Sequence, residues 1–72
     1  MSESDVIFEV REDEADGGYT ARALGYSIFT EADSLDELRR NVREATACYF
    51  EDQASPPRII GLHFARDEVL AG

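Results

Sequence analysis

The chain has 72 residues, sixteen of them Asp or Glu and seven Arg, with no lysine, for a formal net charge of −9. That length makes one domain, burying only ~60% of the surface its unfolded form exposes; the single Cys48 excludes an internal disulfide, so self-association is the expected aid to stability. The negative field opposes autonomous binding to nucleic acid or anionic lipid and favours encounter with a basic partner, although it also serves solubility.

Val6-Ile7-Phe8-Glu9-Val10-Arg11 alternates, with Val6, Phe8 and Val10 on one face and Ile7, Glu9 and Arg11 on the other, which predicts a first strand with one apolar face. Glu12 to Gly18 joins repelling carboxylates to two glycines and predicts a solvent-exposed hairpin loop. Tyr19 to Leu24 returns as a second strand, and Gly25-Tyr26 allows a tight reversal into a third, Ser27 to Thr30.

A helix start follows at Ser34-Leu35-Asp36-Glu37, where a serine with a glutamate three residues on forms a capping box. Leu35, Leu38, Val42, Ala45 and Tyr49 recur at spacings of three and four as a buried stripe that Phe50 widens, and Asp36, Arg40 and Glu44 solvate the opposite side. Pro56-Pro57 forbids further helix, and Arg58 to Phe64 reads as a fourth strand with Ile60, Leu62 and Phe64 towards the core.

A right-handed crossover through the helix brings the fourth strand parallel to the sheet, beside the first. The expectation is an α+β fold, β-β-β-α-β, with a four-stranded sheet ordered 3-2-1-4 and one helix packed on one face. Residues 1–72 form a single domain, with 1–5 and 67–72 as loose termini. With no secretory leader and no long apolar run, and with one unpaired cysteine, the chain is expected to be cytoplasmic and away from membranes.

Little in the sequence points to catalysis. His63 sits on a strand with no serine, cysteine or second histidine nearby, and reads as an ordinary strand-face side chain. Cys48 flanks the helix stripe and reads as a small, partly buried apolar residue. Glu12, Glu14, Asp16 and Gly17 imitate the opening of a calcium loop, but the twelfth position is Ala23, where a bidentate carboxylate is required. Zinc spacing, a phosphate-cradling loop and a dinucleotide fingerprint are absent from the sequence, so no cofactor, metal or catalytic residue is assigned.

Gly18-Tyr19 opening the second strand, Gly25 in the next reversal, Ser34-Leu35-Asp36-Glu37-Leu38 at the helix start, and Asn41, Glu44-Ala45 and Tyr49-Phe50 along it resemble the HicB-like antitoxin family over nearly the whole chain. The resemblance implies a truncated ribonuclease H-like fold and a protein that binds and blocks a small basic messenger-RNA-cleaving toxin, HicA. Family members usually add a C-terminal DNA-binding module, which this chain is expected to lack, so direct DNA binding is not expected. Leu24-Gly25-Tyr26 stands where the family often has a Pro-Gly-Cys-like turn, and Ala32 where a glycine commonly precedes the acidic and hydroxyl pair. Nuclease activity is not implied, because two-metal hydrolysis needs converging carboxylates and the fourth strand offers none.

The resulting expectation is a non-catalytic, antitoxin-like module that captures a basic partner through Glu12, Asp13, Glu14 and Asp16. Homodimerisation is expected through the open sheet face, where Ile7, Phe29 and Ile59 stand among Glu9, Arg11, Arg22 and His63, a one-residue shift of the third strand exchanging Phe29 with Ile28, and with an exposed edge strand, the third or the fourth, as the other route. The competing expectation is a small self-associating protein with no toxin partner.

Overall fold

The computed structural model describes residues 5–15, 17–53, 56–66 and 70–71. The elements run β1 (Asp5–Asp13), β2 (Gly18–Ala23), β3 (Phe29–Ala32), α1 (Leu35–Tyr49) and β4 (Ile59–Phe64). They form one sheet in the order β3-β2-β1-β4. β1 pairs antiparallel with β2, β2 antiparallel with β3, and β4 lies parallel to β1 with Val6 beside Ile60 and Phe8 beside Leu62. Element order, strand order and the parallel closing pair are those the sequence predicts.

Alternation in β1 has the expected result: Val6, Phe8 and Val10 are fully buried. Their neighbours on β2 and β3 are small, with Ala21, Ala23 and Ala32 also buried, and Ile28 completes this layer just before β3. The helix seats Leu38, Val42 and Thr46 against the sheet and lies over β2 and β3. The alanines let it approach closely there.

That position corrects the expected core. A helix is ~10 Å across, whereas four strands at ~4.8 Å spacing make a sheet nearly twice as wide, so one helix covers about two strands. Ile60 and Leu62 on β4 are consequently only partly buried, and Phe64 is 54% exposed rather than in the core. The helix is also turned relative to the expected stripe. Thr46 takes a buried place, Leu35 and Ala45 are half-buried, and Tyr49 is 47% exposed. Tyr49 instead packs edge-on with Tyr26 and Phe50, the three ring centroids 5.0–5.9 Å apart, closing the end of the core near the β2–β3 turn.

Local chemistry sets the element ends. Ser34 is extended (φ −138°, ψ 161°), and its Oγ accepts from the Glu37 amide at 3.2 Å. Glu37 reaches back one residue further than a reciprocal box requires, accepting from the Asp33 amide at 3.4 Å rather than from Ser34. On the outer face Asp36 pairs with Arg39 at 3.0 Å, one residue short of the expected Arg40. β3 starts and ends two residues later than the sequence reading, because the reversal after β2 runs through Ser27 and is closed by the Ala23 amide donating to the Ile28 carbonyl at 2.9 Å. Gly25, at φ +87°, supplies the left-handed turn residue.

Among the described residues, no helix is long and apolar enough to cross a membrane. β1 begins at Asp5, and Leu70 and Ala71 are exposed; the other residues of the two expected loose termini lie outside the described residues, apart from the exposed Arg66 that precedes the second.

Candidate functional site

The acidic hairpin is narrower than its sequence suggests. β1 and β2 stay paired to Glu12↔Tyr19 and Asp13↔Gly18, so Glu12 and Asp13 belong to the strand end and the turn begins only at Glu14. Asp13 shapes the turn: its Oδ1 accepts from the Ala15 amide at 3.0 Å, and its carbonyl accepts from the Gly17 amide at 2.7 Å. Glu12 and Glu14 are exposed, whereas Asp16 lies outside the described residues.

The fold adds carboxylates that the sequence reading did not place here. Tyr19 pairs with Ala32 and Thr20 with Glu31, which carries Glu31 and Asp33 to the base of the hairpin. A concavity of about 330 Å³ is lined there by Asp13, Glu31, Asp33 and Glu37 around Gly18 and Tyr19. The missing signal was the length of β3: extending it to Ala32 puts Glu31 opposite Thr20 and turns a hairpin cluster into a wider acidic surface. Gly18 is where the two strands come closest, since a Cβ there would stand 3.0 Å from the Ala32 carbonyl oxygen. On the other side of the hairpin, Glu12 and Glu14 border a second groove of about 760 Å³ whose apolar wall is Leu35 and Phe64.

The three apolar residues of the open sheet face do not form one patch. Ile7 lies over Gly61, with its Cγ1 3.7 Å from where a Cβ would stand, and is half-buried for that reason. Ile59 is nearby on β4 and 59% exposed. Phe29, 61% exposed, sits on the opposite edge strand, about 14 Å away across the sheet and level with His63 rather than Ile59, with Arg22 and Glu9 on the strands between. Glu9 is itself engaged by Arg11 Nε at 3.0 Å.

His63 is exposed beside Glu9, and Cys48 is exposed rather than partly buried, on the outer side of α1. Among the described residues, no three His, Cys, Asp or Glu side chains converge as a metal site requires.

A protein from Thermotoga maritima is 33% identical over 70 residues, covering 97% of this chain and 96% of the relative. It is a UPF0150 protein. The chain belongs to the UPF0150 family. A second UPF0150 protein, from Archaeoglobus fulgidus, is 57% identical over 51 residues, covering 71% of this chain and 74% of that relative. No family model matches the chain, and no solved structure does. The UPF0150 name states neither an activity nor a partner.

Proposed function

We propose that this UPF0150 member is a non-catalytic, HicB-like binding module of the cytoplasm, antitoxin-like in action, which binds and neutralises a small basic RNA-cleaving toxin or a similar basic protein without itself contacting DNA. The observation that carries the reading is the set of carboxylates at the hairpin and its base: Asp13, Glu31, Asp33 and Glu37 line one concavity, and Glu12 and Glu14 stand on the other side of the hairpin, beside Arg11 and Arg66. The set lies on elements rigidly tied to the sheet, so a cationic partner docks without rearrangement of the core. The motifs at Gly18-Tyr19, Gly25 and Ser34 to Leu38 support the antitoxin-like assignment in particular.

The test is a low-salt pull-down from the native cell with identification by mass spectrometry, repeated with Glu12→Gln, Asp13→Asn, Glu14→Gln and Asp16→Asn combined. Asparagine at position 13 keeps an oxygen for the Ala15 amide, so the turn is preserved. The expected result is a basic protein that is released by salt and whose association slows, with a flatter ionic-strength profile, in the neutralised variant. Recovery of only further copies of this chain overturns the reading and leaves the self-associating alternative, which the exposure of Ile59 and Phe64 favours.

A further inference from the structure

β4 is an edge strand with an open side. The Ala65 amide donates to the Val10 carbonyl at 2.8 Å, and β4 runs in parallel register with β1. Backbone groups alternate sides along a strand, so the amides and carbonyls of Ile59, Gly61 and His63 face β1, while those of Ile60, Leu62 and Phe64 face outward. Among the described residues, no strand pairs with that outer side. The opposite edge, β3, is only four residues long, carries Glu31, and already gives the Glu31 carbonyl to Asn41 Nδ2 at 3.1 Å.

Charge and packing select the same edge. In a chain of net charge −9, the segment Arg58 to Arg66 contains no carboxylate. Two copies repel through the rest of their acidic surfaces but not here, and a basic partner is drawn to the carboxylates at the hairpin instead. On the core side Ile60 and Leu62 are only partly buried and Phe64 is 54% exposed, so the apolar layer continues to the edge with its cover incomplete.

We propose that β4 is a dimerisation edge, occupied by β4 of a second copy running antiparallel about a two-fold axis at Gly61. Opposed residues must share a face, which places the axis on a residue rather than between two. An axis at Leu62 sets Arg58 against Arg66, whereas an axis at Gly61 sets Arg58 against Phe64 and removes that repulsion. The outward amides and carbonyls of Ile60 and Leu62 then bond to those of Leu62 and Ile60 in the second copy. Gly61 faces Gly61 as the closely spaced, non-hydrogen-bonded pair, and Ile59 meets His63 on the open face. The product is one eight-stranded sheet, 3-2-1-4-4-1-2-3, with both helices on one side and a shared apolar strip between them.

Gly61→Cys in a Cys48→Ala background tests the geometry. A Cβ at position 61 meets Ile7 Cγ1 at 3.7 Å, an ordinary contact, so the fold accepts the substitution. Non-hydrogen-bonded partners have Cα atoms ~4.5 Å apart, within disulfide range. The expected result is a wild type that sediments as a dimer and a Gly61→Cys variant that becomes a covalent dimer on mild oxidation with unchanged sedimentation. Phe29→Cys, on the far edge, stays uncrosslinked. A monomeric wild type overturns the proposal, as does a dimer that crosslinks through Ile7→Cys and not through Gly61→Cys. Phe64→Pro removes one outward amide and leaves the β1 ladder intact; with folding verified by circular dichroism, it is expected to weaken the dimer about tenfold. Unchanged dimerisation in that folded variant also overturns the proposal.

Discussion

Replacing Gly18 with alanine tests the packing between β2 and β3 by the sign of its effect. Gly18 does not have a positive φ, so alanine meets no dihedral penalty there, and restricting the unfolded chain alone would raise stability by about 0.4–1 kcal/mol. The added Cβ, however, lands 3.0 Å from the Ala32 carbonyl oxygen, a backbone atom of the next strand that cannot swing aside. Overpacking of this kind costs about 1–3 kcal/mol, which leaves a net loss of about 0–2.6 kcal/mol, centred near about 1.3 kcal/mol. In a domain of this size the central value lowers Tm by about 5–10 °C. Thermal unfolding followed by circular dichroism measures it, with Gly61→Ala as the control, because a Cβ at position 61 makes only a 3.7 Å contact and is expected to leave Tm unchanged or slightly higher. If Gly18→Ala raises Tm, or if the two variants behave alike, the close approach of β2 to Ala32 is not a constraint and the reasoning fails.

Ser34→Ala removes the acceptor for the Glu37 amide and is expected to lower the urea midpoint by the equivalent of about 1 kcal/mol without altering the slope. Leu38→Ala empties a fully buried site between α1 and the sheet, with an expected loss of about 2–5 kcal/mol, a large part of what so small a domain has; a loss under 1 kcal/mol in the same titration refutes the placement of the core. Thr46 Oγ1 is buried and, among the described residues, has no hydrogen-bond partner, so Thr46→Val is expected to stabilise by about 1 kcal/mol, and destabilisation would mean that the hydroxyl is satisfied. Phe29→Ser, at an exposed edge position, is expected to change stability by less than about 0.5 kcal/mol in the same assay.

Most of the fold was legible because its determinants are local. Alternation placed Val6, Phe8 and Val10, the Ser34 cap fixed the helix start, and crossover handedness then left few topologies; the helix stops at Tyr49, ahead of Pro56-Pro57. Tyr49 and Phe64 were misplaced, and Thr46 was missed, for a non-local reason. Helical spacing defines a stripe but not how far the helix is rolled or which strands it lies over, and those depend on where the sheet is thin enough to admit it. Ala21, Ala23 and Ala32 supply that thinness, and alanine carries no pattern that announces it. The acidic site was half legible for a related reason. The hairpin carboxylates are contiguous in sequence, whereas Glu31, Asp33 and Glu37 join them only through the register of β2 with β3.

The parallel pairing of β1 with β4 also governs the order in which the molecule can assemble. The hairpins β1–β2 and β2–β3 close over short loops, but Val6 meets Ile60 only about fifty residues further along the chain, a non-local contact of the kind that slows folding. During synthesis the first strand therefore waits with one side bare until Ile59–Phe64 has been made, and its apolar face stays incompletely covered for that interval. Folding is then a late event, tied to the arrival of β4 rather than built up as the chain emerges.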